Sequence, residues 1–184
     1  MITDKSALVI VDVQNGFVRE KSAHVVPVIA DIVRRWQDAG GDTVFTRYLN
    51  PPGSTFERLI HWTRLREAPE TDIVPELASL AARATAIVDK TIYSLFNDEG
   101  DRLVQDHGWT DLYVCGIATE SCVLKTAVDA FERDITPWLI EDASASHAGS
   151  VAHDAGIFVS SRFIGKDQII NVKDVPLRLL PVPV

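Results

Sequence analysis

The chain has 184 residues, of which 46% are hydrophobic, and its formal net charge at neutral pH is -8. This length and apolar content suffice for one domain with a covered core, so residues 1–184 are interpreted as a single domain. The acidic balance argues against a nucleic-acid-binding surface, and no apolar run is long enough to cross a membrane. The short N-terminal apolar run is also too short for a signal peptide, so we expect a cytoplasmic protein.

Short apolar segments alternate with amphipathic segments along the chain. This alternation predicts a three-layer α/β/α fold, in which a six-stranded parallel Rossmann-like sheet carries helices on both faces. The predicted strands lie near 7–12, 43–48, 85–89, 111–116, 136–140 and 168–172, and the predicted helices near 24–39, 54–66, 72–83, 98–107, 120–133 and 148–156. We expect the long connection after the second strand to form a wall or lid of a site.

Three of the predicted strands are followed by a residue that can take part in catalysis. Asp12 follows the first strand, Lys90 follows the third, and Cys122 follows the fourth. Taken singly, a helix-capping aspartate, a solvated lysine and a packed cysteine are the ordinary explanations. Ligands bind at the carboxyl edge of an open parallel sheet, however, and all three residues are expected there. Together they predict a thiol nucleophile beside a carboxylate and an ammonium group, required for chemistry rather than for folding.

The segment 116–123 places Cys122 where a buried strand turns sharply into a helix. In the first turn of a helix, the free backbone N–H groups favour an anion, so we expect a thiol pKa below its ordinary value. The other cysteine, Cys115, is predicted on the buried strand itself. Two cysteines at this spacing do not indicate a disulfide scaffold, and reduced thiols are expected.

The segments 12–15, 90–96 and 116–123 together resemble the isochorismatase-like cysteine hydrolases. This group contains nicotinamidases, N-carbamoylsarcosine amidases and ureidoacrylate amidohydrolases. The resemblance implies the isochorismatase-like hydrolase fold and a catalytic triad of Asp12, Lys90 and Cys122. It also implies hydrolysis of a C–N bond in a small amide, ureido compound or lactam through a thioester.

The resemblance extends to the stabilisation of the reaction intermediate. It implies that the backbone N–H groups of Ala118 and Cys122 form an oxyanion hole, with a cis peptide bond between Ile117 and Ala118. Phe17 and Trp62 are the predicted walls of the substrate pocket. For Phe17 packing in the core is an equally good interpretation, and Trp62 could instead pack under its connection or in a subunit contact.

The resemblance also indicates whether a metal or a partner is expected. Metal-dependent nicotinamidases carry an Asp-x-His pair after the second strand, whereas residues 48–52 here offer neither a carboxylate nor a histidine, and His61 stands alone. We therefore expect no metal and no cofactor. The partner is expected to be a small-molecule substrate. The apolar tail 175–184 would be covered by the core or by a subunit contact, and a homo-oligomer is expected.

Three alternatives remain open at this point. Isochorismatase-type ether hydrolases share the fold but commonly lack the cysteine, so Cys122 favours C–N hydrolysis. A non-catalytic small-molecule-binding member of the fold would be expected to have lost one of the three groups. A redox-active thiol needs a resolving cysteine, and Cys115 is poorly placed for that role.

Overall fold

The computed structural model describes residues 4–176, so the predicted apolar tail lies outside the described residues from residue 177 onward. The described strands form one parallel sheet in the order β3-β2-β1-β4-β5-β6, with helices on both faces. The predicted three-layer α/β/α fold is therefore confirmed. Within residues 4–176 no helix has the length and apolar character that crossing a membrane requires.

The strands follow the predicted apolar runs, and the two central ones, β1 and β4, are buried almost throughout. Their bounds are Ser6–Val11 for β1, Asp42–Tyr48 for β2, Ala86–Lys90 for β3, Asp111–Ile117 for β4, Thr136–Ala145 for β5 and Ile169–Ile170 for β6. β1 is a continuous apolar run because helices cover it on both sides. β5 extends further than predicted, and β6 is shorter because it pairs with β5 at only two positions.

The helices agree with the predictions in number and order but differ in extent. Their bounds are Val26–Asp38 for α1, Thr55–Ile60 for α2, Pro75–Ala81 for α3, Asp98–His107 for α4, Leu124–Phe131 for α5 and Ser150–Ile164 for α6. The helix predicted over 54–66 ends at Ile60, because His61 adopts a left-handed conformation with φ of 54° and its N–H bonds back to Phe56.

Side chains of the sheet alternate between two apolar cores. On β1, Leu8 and Ile10 face the core that α1 and α3 cover, whereas Val9 and Val11 face the core beneath α4, α5 and α6. Such alternation follows from the two-residue period of a strand. Both faces of the central strands are thus filled with apolar side chains.

The connection from β4 to α5 is a π-helical turn, Thr119–Val123, and not the first turn of an α-helix. The N–H of Val123 bonds to the carbonyl of Ala118 over 3.2 Å. Gly116, just before this turn, has φ of 123°, and a Cβ there would lie 2.2 Å from the carbonyl oxygen of Val11. The close approach of β4 to β1 therefore requires glycine at this position.

The substitution Gly116→Ala should lower the free energy of unfolding by at least about 2 kcal/mol, because the added methyl group overlaps the Val11 carbonyl. Gly40→Ala is the matched control, since Gly40 has φ of 78° and a Cβ added there would have no heavy atom within 4 Å. It should cost about 1 kcal/mol, which is the conformational penalty alone. Urea unfolding measures both. Equal losses would show that the steric contact at Gly116 is unimportant.

Candidate active site

The carboxyl ends of β1, β3 and β4 bring the three predicted catalytic residues together. Asp12 directly follows β1, Lys90 is the last residue of β3, and Cys122 lies in the π-helical turn after β4. β2 separates β1 from β3, and its last residue, Tyr48, pairs with Lys90. Asp12 takes a left-handed conformation with φ of 49°, which aspartate tolerates better than most residues. The strand is thereby ended at the point where the carboxylate is needed.

Asp12 and Lys90 form a buried ion pair whose hydrogen bonds are satisfied on both sides. The ammonium Nζ of Lys90 lies 2.6 Å from Oδ2 of Asp12 and also donates to the carbonyls of Ile92 and Tyr93, at 3.1 and 2.9 Å. The other carboxylate oxygen, Oδ1, accepts a hydrogen bond of 2.6 Å from the hydroxyl of Thr46. That hydroxyl in turn accepts from the N–H of Asp12, at 3.1 Å. The pair is therefore held rigidly.

The burial of this pair corrects one expectation. From the sequence, Asp12 and Lys90 are expected to be required for chemistry rather than for folding. In the structure, the side chains of both residues are 0% exposed. Removing one partner leaves the other as an unpaired buried charge, which costs about 3–5 kcal/mol. The pair therefore contributes to folding as well, and any test of its chemistry has to separate the two effects.

The Cys122 thiol interacts with both members of the pair but keeps its proton. Burial raises the pKa of Cys122, Lys90 acts to lower it, and Asp12 acts to raise it, with a net shift upward. For Lys90, burial acts to lower the pKa, but Asp12 and Cys122 outweigh it and the pKa is raised. The expected lowering of the thiol pKa is thus wrong. Cys122 is 5% exposed and sits in a π-helical turn beside a carboxylate, so burial prevails over the helix-start effect.

A cavity of about 240 Å³ opens beside Cys122. One part of its lining is aromatic or aliphatic and consists of Phe17, Tyr48, Phe56, Ile60, Trp62 and Tyr93. The rest comes from the residue before the π-helical turn, from the turn itself and from the loop after β5, and consists of Ala118, Ser121, Cys122 and His147. Both predicted pocket residues are in this lining, where the rings of Phe17 and Trp62 stack at 5.7 Å with 15° between their planes. That they contact substrate stays a prediction.

The predicted oxyanion-hole residues, Ala118 and Cys122, both line the same cavity. The peptide bond between Ile117 and Ala118 is cis, as the resemblance implied. Both residues therefore lie beside the cavity into which the thiol opens. Their role toward a substrate oxygen stays a prediction.

Two polar residues that support the ion pair were not singled out by the sequence analysis. Thr46 on β2 holds Asp12 through its hydroxyl group. Gln14 joins the ends of β1 and β2, since its amide oxygen accepts from the N–H of Tyr48 at 2.7 Å and its NH₂ donates to the Tyr48 and Thr71 carbonyls. Thr46 lies 34 residues from Asp12, and a contact at that distance leaves no local signal in the sequence.

The long connection after β2 is fixed over the sheet by Asn50, which the sequence analysis also missed. Its side-chain NH₂ donates to the carbonyls of Trp62 and Arg64, both at 3.0 Å, and its Oδ1 accepts from the Ser54 hydroxyl at 2.6 Å. These bonds bring Trp62 back to the cavity. The expectation that this connection forms a wall of the site agrees with that arrangement.

Asn50 and His61 do not fit a metal site. The amide of Asn50 is already bonded at both its oxygen and its nitrogen, and His61 lies exposed at the end of α2, outside the cavity lining. Across residues 4–176, no group of three or more His, Cys, Asp or Glu side chains is arranged to hold a metal ion. Metal-independent activity stays a prediction from this donor set.

Exhaustive chelation should leave turnover unchanged, because neither Asn50 nor His61 is placed to bind a divalent ion beside Cys122. His61→Asn is the matched variant, since asparagine tolerates the left-handed backbone at this position. It should retain wild-type activity and the same insensitivity to chelator. Amide turnover before and after chelation measures both expectations. A loss that zinc, manganese or iron restores would contradict them.

Comparisons with known proteins find related sequences and a similar fold. The ureidoacrylate amidohydrolase RutB of Azorhizobium caulinodans is 34% identical over 80 residues, which cover 43% of this chain and only 35% of that protein. RutB of Enterobacter sp. strain 638 is 25% identical over 87% of this chain and 84% of its own length. An isochorismatase-like hydrolase from Alkaliphilus metalliredigens superposes with a TM-score of 0.80, at 22% identity, over 92% of this chain and 96% of that one.

The family model of the isochorismatase domain matches residues 6–163, a span that contains every residue described at the site. The predicted relationship to C–N hydrolases agrees with the names of the curated relatives, which are amidohydrolases. The match of the domain and the shared sheet architecture lead to one conclusion: the chain belongs to the isochorismatase family.

Proposed function

We propose that this chain is an amidohydrolase that cleaves a non-peptide C–N bond of a small molecule through a thioester on Cys122. One observation carries this proposal: the Cys122 thiol lines a cavity and interacts with a buried, fully hydrogen-bonded Asp12–Lys90 pair. A nucleophile and a base in contact, with a third group that orients the base, are the parts that covalent catalysis requires. The RutB relatives, which are ureidoacrylate amidohydrolases by name, support the same reaction class.

In the first half of the reaction, Asp12 acts as the general base. The thiol proton of Cys122 passes to the Asp12 carboxylate as sulfur attacks the substrate carbonyl carbon, and the carbonyl oxygen becomes an oxyanion. The N–H groups of Ala118 and Cys122 donate to that oxyanion, and one such donor is worth about 3–4 kcal/mol of barrier. The Lys90 ammonium compensates the negative charge first on Asp12 and then on the oxyanion.

In the second half, Asp12 returns the proton. As the tetrahedral intermediate collapses, the C–N bond breaks and the leaving nitrogen takes the proton from Asp12, which leaves a thioester on Cys122. Water then attacks the thioester and gives a proton to Asp12. When the second intermediate collapses, the C–S bond breaks, the thiolate regains that proton from Asp12, and the acid product is released.

The assembly and location of the enzyme are proposed on separate observations. Val151, Phe158 and Phe163 on α6 are 84%, 68% and 56% exposed, and a second copy of the chain would cover such an apolar face. We therefore propose a homo-oligomer. Both cysteines are buried and free, which suits the reducing cytoplasm.

Cys122→Ala should abolish amide hydrolysis, because no sulfur remains to form the acyl-enzyme. Intact-mass analysis of wild type quenched during turnover should show an acyl adduct on a peptide containing Cys122. Cys115→Ala is the matched control, since Cys115 is 0% exposed in the core and burial raises its pKa to about 12. It should retain the adduct. Turnover by the Cys122 variant, or an adduct elsewhere, would overturn the proposed mechanism.

A double-mutant cycle separates catalysis by the ion pair from its contribution to folding. Asp12→Asn and Lys90→Met should each lower turnover at least about a hundredfold. Each should also lower the free energy of unfolding by about 3–5 kcal/mol, because one buried charge loses its partner. The double variant removes both charges and should recover most of that stability while remaining inactive.

Urea unfolding measures the free energy of unfolding of each variant, and ammonia release measures its turnover. If activity returned with stability in the double variant, Asp12 and Lys90 would be structural residues only. If a stable single variant kept wild-type turnover, the residue replaced in it would have no role in the reaction.

A further inference from the structure

We propose that this cavity selects amides and ureas whose substituents are uncharged and discriminates against those that carry a carboxylate, such as ureido acids. The inference rests on the proposed function, because it specifies the substrate class of the same site. Three observations carry it: the chemical character of the cavity lining, the hydrogen bonding of Lys90, and the position of two arginines outside the cavity.

The cavity lining described above is aromatic, aliphatic or neutral polar. Stacked and edge-on rings make up most of its wall: Phe17 stacks on Trp62, and Phe56 packs edge-on against Tyr48 and Tyr93, at 5.0 and 4.8 Å between centroids. Burial raises the pKa of both tyrosines and lowers the pKa of His147, so these three side chains are neutral at pH 7. An uncharged substituent of the substrate would therefore contact only uncharged side chains of this lining.

Lys90 acts on the thiol, but it has no free N–H group to donate to a substrate carboxylate. Its Nζ already donates to Asp12 and to the carbonyls of Ile92 and Tyr93, and its side chain is 0% exposed. An ammonium group has three protons, and all three are in use. A carboxylate that entered the cavity would therefore lose hydrogen bonds to water without gaining one from this ammonium group, which is unfavourable.

Two arginines lie close by but do not line the cavity. Arg19 and Arg64 line a neighbouring cleft, which shares Phe17, Trp62 and His147 with the cavity. Each arginine has its own contacts there. Arg64 pairs with Glu70, and the guanidinium of Arg19 donates to the Gly16 carbonyl at 3.1 and 3.3 Å. Both guanidinium groups are thus engaged with other residues, and neither is part of the lining beside the thiol.

Binding to the Cys122→Ala variant tests the selection independently of turnover. Two pairs of ligands have nearly the same shape within each pair and differ in charge: isobutylurea against ureidoacetate, and isocaproamide against succinamate. In both pairs, calorimetry should give a dissociation constant at least about tenfold lower for the uncharged member. Equal or tighter binding of the acids would overturn the inference. So would a failure of all four compounds to bind.

A charge placed in the cavity wall should weaken the preference. Ile60 lines the cavity and is 57% exposed, so an arginine there reaches the cavity without burying its charge. In the Cys122→Ala background, Ile60→Arg should lower the preference for the uncharged member at least about fivefold, by supplying the missing partner. Leu59→Arg is the matched control, because Leu59 is on the same helix, 69% exposed and outside the cavity lining. It should leave the preference unchanged.

The same compounds keep this inference distinct from the proposed function. Ammonia release by wild type from isobutylurea and isocaproamide tests the hydrolase. If the uncharged ligands bind selectively but no C–N bond is cleaved, the selection stands and the proposed reaction fails. If ammonia is released equally from acids and uncharged compounds, the reaction stands and the selection fails. Leu59→Arg and Ile60→Arg could also change the preference equally. That result would contradict the selection, because the effect would then come from the net charge of the protein and not from the cavity wall.

Discussion

The buried ion pair between Asp12 and Lys90 is the interaction on which the site depends. Two ions inside a protein are tolerated only when their remaining hydrogen-bonding capacity is satisfied. Here Thr46 satisfies the carboxylate, and two backbone carbonyls after β3 satisfy the ammonium. The pair and its partners come from the ends of β1, β2 and β3, so the pair can form only if these strands are neighbours and end at the same level. The sheet order is thus a requirement of the chemistry as well as of the fold.

The pair also explains why the nucleophile is held as a thiol. Asp12 and Lys90 balance each other, and a thiolate at Cys122 would add a net negative charge to a buried site, so its pKa rises. In the proposed reaction the proton of the thiol moves to Asp12 as the oxyanion forms. The negative charge then moves from the carboxylate to the substrate oxygen, and the net charge of the site stays the same. A protonated resting thiol is therefore compatible with nucleophilic attack.

The sequence predicts the sheet and the three catalytic candidates because the signals for them are local. Each buried strand is a short apolar run, and Asp12, Lys90 and Cys122 lie at or just beyond the ends of such runs. The contacts that support them are not local: Thr46 reaches Asp12 across 34 residues, and Asn50 fixes a loop whose course no periodic pattern encodes. The π-helical turn and the raised thiol pKa escape prediction for a related reason, since both depend on how tightly the turn is packed in three dimensions.

The apolar wall of the cavity and the charge balance beneath it are two consequences of one environment. In the proposed reaction, a medium of low polarity would strengthen the action of Lys90 and the main-chain donors on a developing oxyanion. The same low polarity penalises any further charge that a substrate brings with it. A site that stabilises one transient negative charge through a buried lysine therefore gains from keeping permanent charges out. The rings of Phe17 and Trp62 belong to this apolar lining, and neither Arg19 nor Arg64 does.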